Sequence, residues 1–200
     1  MAKLAYSTFL GIILGIMILR APLLAQDRDT IGNFSLTGAD KKQVSLKDFE
    51  SSKAVVVIFT SSHCKWATMY EERLSQLQAT YAARGITFMA INSNDPSMSD
   101  SDSEGEMARL SSYTFPYLKD DKQEVAKQFK ATKTPEVIVA TPVKGVFREV
   151  YRGKIDDNPL DSSLAKNHYL EDVLKQVLAG QKVSVESTEA SGCNIKWLRE

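Results

Sequence analysis

The sequence is poor in the residues that usually bind transition metals. Among 200 residues there are two cysteines and two histidines, and these do not form the closely spaced group of four ligands that a structural zinc site needs. Two cysteines also allow at most one internal disulfide, which excludes a small fold held by several bridges. We therefore expect no bound metal and no cofactor.

Neither sign of charge predominates. Lysine and arginine together number 25, as do aspartate and glutamate, so the formal net charge is zero. A protein without a basic excess has no long-range field that attracts nucleic acid, and one without an acidic excess lacks the composition of a disordered acidic chain. We predict no nucleic-acid partner, and the length suits one domain with extensions.

The sequence also lacks a hydrophobic run that would span a membrane comfortably. The apolar stretch at 4–19 follows Lys3 and contains about 16 residues, whereas a span needs about 20. The segment Ala21–Ala25 offers a cleavage site near Ala25. Residues 1–26 are therefore predicted to be a signal peptide, with an uncleaved anchor through residues 4–19 as the alternative. Both alternatives place the domain outside the cytoplasm (periplasmic or secreted), with membrane contact only through such an anchor.

The rest of the chain has the pattern of one α/β domain, residues 27–180, followed by a polar tail, residues 181–200. An apolar run at 54–59 predicts a strand buried on both faces, and apolar residues at helical spacing predict a helix over 66–84. A further strand at 86–91 implies a parallel pair with a right-handed crossover. The other predicted elements are a β-hairpin at 34–46, a helical turn at 45–49, helices at 104–112, 123–129 and 168–179, an extended segment at 115–118, and an antiparallel hairpin at 136–140 and 145–152.

Cys64 lies where the predicted buried strand gives way to the predicted helix. At a helix N-terminus, backbone N–H groups and the helix dipole favour a thiolate over a thiol, so Cys64 is a candidate reactive cysteine. Ser61 stands three positions before it, and Cys193 lies in the tail. An intact Cys64–Cys193 disulfide, a reactive pair and two free thiols are all compatible with the sequence.

Three further segments of the sequence are acidic. Residues 100–105 resemble the first half of a calcium loop, but Ser111 stands where a glutamate would be needed. We therefore expect a solvated acidic loop that caps a helix. Residues 156–158, Asp-Asp-Asn, predict a turn or a helix start. Glu71 and Glu72 are expected to interact with the dipole of the helix after Cys64. The alternative is that one of these carboxylates transfers protons near the thiol.

Several short motifs, taken in their order and spacing, carry a family resemblance over most of the mature chain. The chain resembles a thioredoxin-fold protein of the redoxin group, also described as peroxiredoxin-like or alkyl hydroperoxide reductase/thiol-specific antioxidant-like. The resemblance implies an α/β thioredoxin-like fold, with a central mixed sheet flanked by helices, an N-terminal β-hairpin and a C-terminal tail. The motifs are Phe59–Trp66, Tyr70–Leu74, Ala90–Asp95, Phe115–Leu118, Thr134–Val137, Tyr151–Asn158 and Gly192–Trp197.

Members of that group usually carry a Cys-x-x-Cys pair at the turn after the first buried strand. Here Ser61 replaces the first cysteine and Lys65 stands where proline is common, and dithiol exchange needs a second thiol that serine does not supply. Ser61 and Cys64 also resemble the Thr-x-x-Cys pattern of peroxiredoxins, although Val57 replaces the proline of that pattern. By this resemblance Ser61 would help hold a peroxide, Cys64 would attack it and become a sulfenic acid, and Cys193 would be the resolving thiol.

The dipeptide Thr134–Pro135 resembles the cis-proline loop of the thioredoxin fold. A cis X–Pro bond lets the backbone of the preceding residue pair with an extended substrate chain beside the thiol. We therefore predict a cis bond before Pro135 and assign Thr134 and Pro135 to substrate binding. Trp66, close to Cys64 in sequence, is a candidate wall of the same site.

Two classes of function are consistent with these features. The first is an exported redox protein that acts through Cys64 on a peroxide or on a protein or peptide disulfide, and that an external thiol reductant regenerates. The alternative is a non-catalytic peptide-binding module with a degenerate active site, in which the cis-proline loop binds a peptide and the missing sulfur prevents turnover. A protein that forms a lasting mixed disulfide through Cys64 is a third hypothesis.

Overall fold

A computed structural model describes residues 30–199. Residues 1–26, predicted to be a signal peptide or an anchor, lie outside that range, so this segment and the boundary that follows it stay predictions. Within residues 30–199, no helix combines the length and the apolar composition that a membrane crossing requires.

Strands and helices alternate along most of the described chain. The strands are β1 (Thr30–Ile31), β2 (Ser35–Gly38), β3 (Gln43–Ser45), β4 (Ala54–Thr60), β5 (Ile86–Asn92), β6 (Tyr117–Lys119), β7 (Lys133–Thr134), β8 (Glu136–Val143), β9 (Val146–Gly153) and β10 (Cys193–Asn194). The α-helices are α1 (Lys65–Thr68), α2 (Glu71–Tyr81), α3 (Glu104–Leu110), α4 (Glu124–Phe129) and α5 (Tyr169–Leu178). Short 3-10 turns lie at Leu46–Phe49, Ala82–Arg84, Pro96–Met98, Asp100–Asp102 and Ser162–Leu164.

One mixed sheet forms the centre of the domain. Its strand order is β1–β9–β8–β4–β5–β6–β2–β3. As predicted, β4 is parallel to β5, and the two predicted hairpins are present as β2 with β3 and β8 with β9. β6 extends the parallel part of the sheet, and β8 runs antiparallel to β4. The α/β thioredoxin-like architecture predicted from the sequence is therefore confirmed.

The central strand β4 contributes to both hydrophobic cores, because successive side chains of a strand point to opposite faces. Val56 and Ile58 face the core that includes side chains of α2 and α5. Val57 and Phe59 face the second core, which includes side chains of α4. Every residue of β4 is buried, as its uninterrupted apolar run predicts.

The parallel strands bring their carboxyl ends to one edge of the sheet. β4 ends one residue before Ser61, and β5 ends at Asn92. Since the carboxyl ends of parallel strands meet at the same edge, polar residues that follow these strands converge there. This edge carries Cys64, so the sheet topology determines where the site lies.

The helix predicted over 66–84 is interrupted, and that prediction was wrong in detail. α1 and α2 are separated at Met69 and Tyr70, and the Tyr70 amide bonds to the carbonyl of Ala67, a tighter i−3 contact. This turn accompanies the burial of Tyr70, whose hydroxyl donates a 2.7 Å hydrogen bond to Asp156. Apolar spacing continues through the break, so the sequence pattern gave no signal of it.

The tail after α5 is part of the domain and not only a surface segment. Val183 and Ile195 are buried in the two hydrophobic cores. The Thr188 amide donates a 2.9 Å hydrogen bond to the carbonyl of Arg152 at the end of β9. Gly153 allows this approach, because a Cβ built on it would lie 2.2 Å from the Thr188 carbonyl oxygen.

Candidate functional site

Cys64 and Cys193 form a disulfide. Their Cα atoms lie 6.0 Å apart, and the two residues are separated by 129 positions in sequence. This pairing excludes two free thiols in the state described and leaves a structural bridge or a reactive pair. Cys64 is 1% exposed, whereas Cys193 is partly exposed. An external thiol therefore meets Cys193 before it meets Cys64.

Cys64 precedes α1 and does not lie within it. Its backbone is extended, with φ −92° and ψ 110°, and α1 has four residues. The prediction of a thiolate at Cys64 relied on the dipole of a long helix, and the dipole of a single helical turn is small. The Cys64 sulfur lies 3.2 Å from the carbonyl oxygen of Thr134. In the reduced state the Cys64 thiol can donate a hydrogen bond to this oxygen.

The Thr134–Pro135 peptide bond is cis, as predicted. The strand before it, β7, pairs antiparallel with β10, so that Cys193 lies opposite Thr134. Gly192 has φ 151°, and a Cβ built on it would lie 2.2 Å from the Thr134 carbonyl oxygen. The chain's own tail therefore occupies the edge that was predicted to pair with an extended substrate.

Ser61 is buried beneath the Cys64 turn. Its hydroxyl donates a 2.8 Å hydrogen bond to Asp102 and accepts hydrogen bonds from Asn94 Nδ2 and from the His63 amide. The residue is 1% exposed. A peroxide would reach this hydroxyl proton only after the bond to Asp102 rearranges, so the role predicted for Ser61 stays a prediction.

The acidic segment 100–105 is exposed at Asp100 and Gly105, as predicted for a solvated loop, but not at Asp102. Asp102 is fully buried and accepts hydrogen bonds from Ser61, Asn92 and Asn94. These donors compensate for the burial of a carboxylate. Within residues 30–199 no group of side chains forms a metal-binding cluster. The signal available in the sequence was the run of polar residues directly after β5, since such residues converge with those that follow β4.

A second buried carboxylate, Asp156, explains the segment 156–158, for which the sequence predicted only a turn or a helix start. Asp156 accepts hydrogen bonds from the Tyr70 hydroxyl and from Arg73, and it is 4% exposed. Burial and the hydrogen bond to Asp156 raise the pKa of Tyr70 above its ordinary value. The segment therefore fixes the start of α2, the second helix after the Cys64 turn.

Glu71 has a more specific role than the dipole interaction expected of it. Its Oε2 accepts hydrogen bonds from the amide and the hydroxyl of Ser112, at 3.0 and 2.9 Å. Glu71 thereby joins the start of α2 to the segment after α3.

A cavity of about 350 Å³ lies beside the cis-proline loop and the residues before β10, and neither cysteine is among the residues that line it. Pro135 and Gly192, which line it, are the sequence neighbours of Thr134 and Cys193. Trp66 forms one wall and is 47% exposed. The cavity is lined by Trp66, Tyr70, Pro135, Lys154, Ile155, Asp156, Asp157, Pro159, Ser191 and Gly192. The structure therefore places Trp66 and Pro135 on one cavity, as their predicted role in substrate binding requires.

The side chain of Thr134 is unusual among the described residues. Its Oγ1 is buried and has no hydrogen-bond partner in residues 30–199. Residues that lie opposite each other in an antiparallel pair point to the same face. Because Thr134 lies opposite Cys193, this hydroxyl shares a face with the Cys193 side chain. Sequence reasoning assigned only the Thr134 backbone to binding and had no signal for the hydroxyl.

Comparison with known proteins agrees with the fold. Two solved structures are similar over 86% of this chain: a hypothetical protein from Sinorhizobium meliloti (31% identity, 94% of that chain, TM-score 0.78) and an uncharacterized conserved protein from Geobacillus kaustophilus (32% identity, 92% of that chain, TM-score 0.79). A putative thiol:disulfide interchange protein DsbE from Chlorobium tepidum has the same fold at 19% identity, with coverage of 76% of this chain and 94% of that chain, and TM-score 0.56.

The family assignment comes from the sequence. No curated protein matches this chain. The family model described as AhpC/TSA family matches residues 28–156. This segment includes the Cys64 turn, the cis-proline loop and the hydrogen-bonded residues Ser61, Asn92, Asn94 and Asp102. The chain therefore belongs to the AhpC/TSA family of thioredoxin-like redoxins.

Proposed function

We propose that this protein is an exported thiol-dependent peroxidase in which Cys64 attacks the oxidant and Cys193 resolves the product. The observation that carries the proposal is the disulfide between Cys64, at the turn after β4, and Cys193, opposite the residue before the cis-proline. The tail supplies the second sulfur that Ser61 does not, so the chain has a complete redox couple without a Cys-x-x-Cys motif.

The proposed cycle balances in atoms and electrons. The Cys64 thiolate attacks the terminal oxygen of a hydroperoxide, the O–O bond breaks, and the leaving alkoxide takes a proton to become an alcohol. Cys64 is then a sulfenic acid. The Cys193 thiol attacks its sulfur, the S–S bond forms, and the sulfenic oxygen leaves as water. Two electrons have passed from the two sulfurs to the hydroperoxide.

The reducing half of the cycle begins at Cys193. Because Cys193 is the more exposed cysteine and Cys64 is 1% exposed, an external thiolate attacks the Cys193 sulfur and expels Cys64 as a thiolate. A second thiol of the reductant then attacks the mixed disulfide and releases Cys193. The reductant leaves as a disulfide, and both cysteines are reduced.

Two features support a small oxidant over a protein substrate. The β10 strand occupies the β7 edge on which an extended polypeptide would pair. The cavity lined by Trp66 and Pro135, at about 350 Å³, has the size of a small-molecule site. In this proposal Trp66 and Pro135 line the route to Cys64, and Ser61 holds the Cys64 turn through Asp102.

The location and domain limits belong to the same proposal. We infer that residues 27–180 are the redox domain, that 181–200 are a tail essential to it, and that 1–26 direct the chain out of the cytoplasm. An oxidising compartment would allow the disulfide to persist between turnovers.

The proposal is tested by counting thiols against hydrogen peroxide. One molecule of peroxide should remove two thiols from the reduced wild-type protein and yield one internal disulfide. The Cys193→Ser variant should stop at a sulfenic acid on Cys64 that a dimedone-type reagent traps, and Cys64→Ser should consume no peroxide. A wild-type protein that consumes no more peroxide than Cys64→Ser refutes the proposal.

Disulfide exchange is the second candidate, and the cis-proline loop beside the disulfide favours it. In that case the oxidised protein would accept electrons from a partner dithiol at the Cys193 sulfur, or the reduced protein would donate them to a partner disulfide. Reduction of a protein disulfide by the wild type, without peroxide consumption, would support this candidate. Peptide binding that persists in Cys64→Ser, without either reaction, would support the non-catalytic binding module.

A further inference from the structure

The last residues of the tail are held by two buried amide side chains. Gln123 Nε2 donates a 2.8 Å hydrogen bond to the Lys196 carbonyl, and Gln123 Oε1 accepts one of 2.8 Å from the Leu198 amide. Asn94 Oδ1 accepts a 2.8 Å hydrogen bond from the Lys196 amide. The Asp95 amide donates to the Lys196 carbonyl at 2.9 Å. Both polar groups of the Lys196 backbone are therefore bonded to the domain.

Asn94 connects the two cysteine-bearing segments directly. Its Nδ2 donates a 2.8 Å hydrogen bond to Ser61, three residues before Cys64, and its Oδ1 bonds Lys196, three residues after Cys193. Asn94 is 3% exposed. One side chain therefore bonds to both cysteine-bearing segments, by contacts separate from the disulfide itself.

Gln123 adopts a backbone conformation that glutamine rarely takes. Its φ is 59°, in the left-handed region, and its side chain is 1% exposed. Residues other than glycine persist in this region where the surrounding structure compensates for the strain. Here the compensation is visible, because the conformation directs the amide into three hydrogen bonds, two of them to the tail and one to Ser93.

We infer that Asn94 and Gln123 are positioning residues that keep Cys193 beside Cys64 when the disulfide is reduced. The inference rests on the proposed function only in that it treats the pair as redox-active. The tail would remain docked throughout the cycle, so disulfide formation would start from two sulfurs already close together. A tail that left on reduction would have to dock again before each closure, and its effective concentration at Cys64 would be lower.

The direct test uses Cys193→Ser, which lacks the disulfide permanently. Hydrogen exchange is measured at the backbone amides of Lys196 and Leu198. We expect both amides to exchange roughly 100-fold more slowly than in an unstructured chain. Adding Gln123→Gly, which suits the left-handed backbone and removes the side chain, should abolish most of that protection. Cys193→Ser alone with unprotected tail amides would overturn the inference.

The matched control is Lys130→Gly. Lys130 has φ 53° and is exposed, and it follows α4 as Gln123 precedes it. Adding Lys130→Gly to Cys193→Ser should leave the tail amides protected. If both glycine variants lose protection equally, the tail depends on the stability of α4 and not on the Gln123 side chain, and the inference is refuted.

A redox measurement gives a second readout that does not require peroxidase activity. Wild-type protein, Gln123→Gly and a chain ending at Ile195 are equilibrated with reduced and oxidised glutathione, and the disulfide fraction is measured by alkylation. The truncated chain keeps the buried Ile195 side chain and loses the contacts of Lys196 and Leu198. Both variants should close the disulfide roughly tenfold less favourably than the wild type. Unchanged equilibria overturn the inference, whereas absent peroxide consumption would overturn only the proposed function.

Discussion

Substitution of Thr134 by valine should stabilise the oxidised protein. A buried hydroxyl without a hydrogen-bond partner costs about 1–3 kcal/mol in desolvation, and Thr134 Oγ1 is such an atom. Valine has the same branched shape and replaces this hydroxyl by a methyl group. We expect the free energy of unfolding to rise by about 1–2 kcal/mol, and the melting temperature to rise by about 2–4 °C for each kcal/mol in a domain of this size.

The assay is urea unfolding of the disulfide-bonded protein, with the slope m checked to be constant so that the midpoint reports stability. Thr134→Ser is the matched control, because it keeps the hydroxyl and removes the buried methyl group. Its stability should fall by about 1 kcal/mol. If Thr134→Val is instead less stable than the wild type, the hydroxyl has a partner in solution, such as a buried water, and the reasoning is refuted.

The redox state should change the size of this effect. Thr134 lies opposite Cys193, so a sulfur freed by reduction can accept a hydrogen bond from the Thr134 hydroxyl. Valine removes that donor, and the gain measured in the oxidised protein should shrink or reverse under reducing conditions. The same urea titration with a thiol reductant present checks this. An equal gain in both states would show that the hydroxyl does not contact a sulfur.

Three further predictions address the tail, the glycine beside it and alkaline pH. Cys193→Ala should lower the free energy of unfolding of the oxidised protein by about 4–5 kcal/mol, because the bridge closes a long loop in the unfolded chain; urea unfolding measures this, and a loss below about 2 kcal/mol would contradict it. Gly192→Ala should slow disulfide formation, because its Cβ would lie 2.2 Å from the Thr134 carbonyl oxygen. Thiol counting after oxidation measures this. The control is Gly180→Ala, where a Cβ meets no atom within 4 Å. Burial raises the pKa of Tyr151 to about 12 from its ordinary 10.0, so the unfolded chain loses the tyrosine proton at a lower pH than the folded protein. The free energy of unfolding linked to this proton is therefore fully present below pH 10 and falls as the pH rises towards 12. Unfolding measured between pH 9 and 12, for the wild type and for Tyr151→Phe, would detect the loss.

The sequence predicted the sheet well because its signals there are local. The apolar run of β4 and the helical spacing after it identified the parallel unit, and the amphipathic stretch at 168–179 identified α5 (Tyr169–Leu178). The cis bond before Pro135 was predicted by resemblance. The break at Tyr70 was missed, because the hydrogen bond that accompanies it joins Tyr70 to Asp156, which is distant in sequence.

The polar part of the site could not be predicted in the same way. The acidic loop containing Asp102 has the composition of a solvated segment, and only the approach of Ser61, Asn92 and Asn94 makes its burial favourable. Likewise, nothing in the pattern around Gln123 indicates a left-handed residue or a bond to Lys196. These features depend on contacts between strand ends and the tail, which periodicity does not encode.

Moving the second sulfur from the turn to the tail has a thermodynamic consequence. In a Cys-x-x-Cys motif both sulfurs lie on one turn, whereas here Cys193 lies 129 residues from Cys64, so closure depends on tail docking. Docking and the disulfide are linked equilibria, and each must favour the other by the same factor. A contact that holds the tail, such as that between Gln123 and Lys196, therefore makes the disulfide harder to reduce. The effect is largest where the tail of the reduced protein would be undocked without that contact. A reductant able to reduce the wild-type disulfide must overcome this linkage, so its required strength measures how firmly the tail is docked.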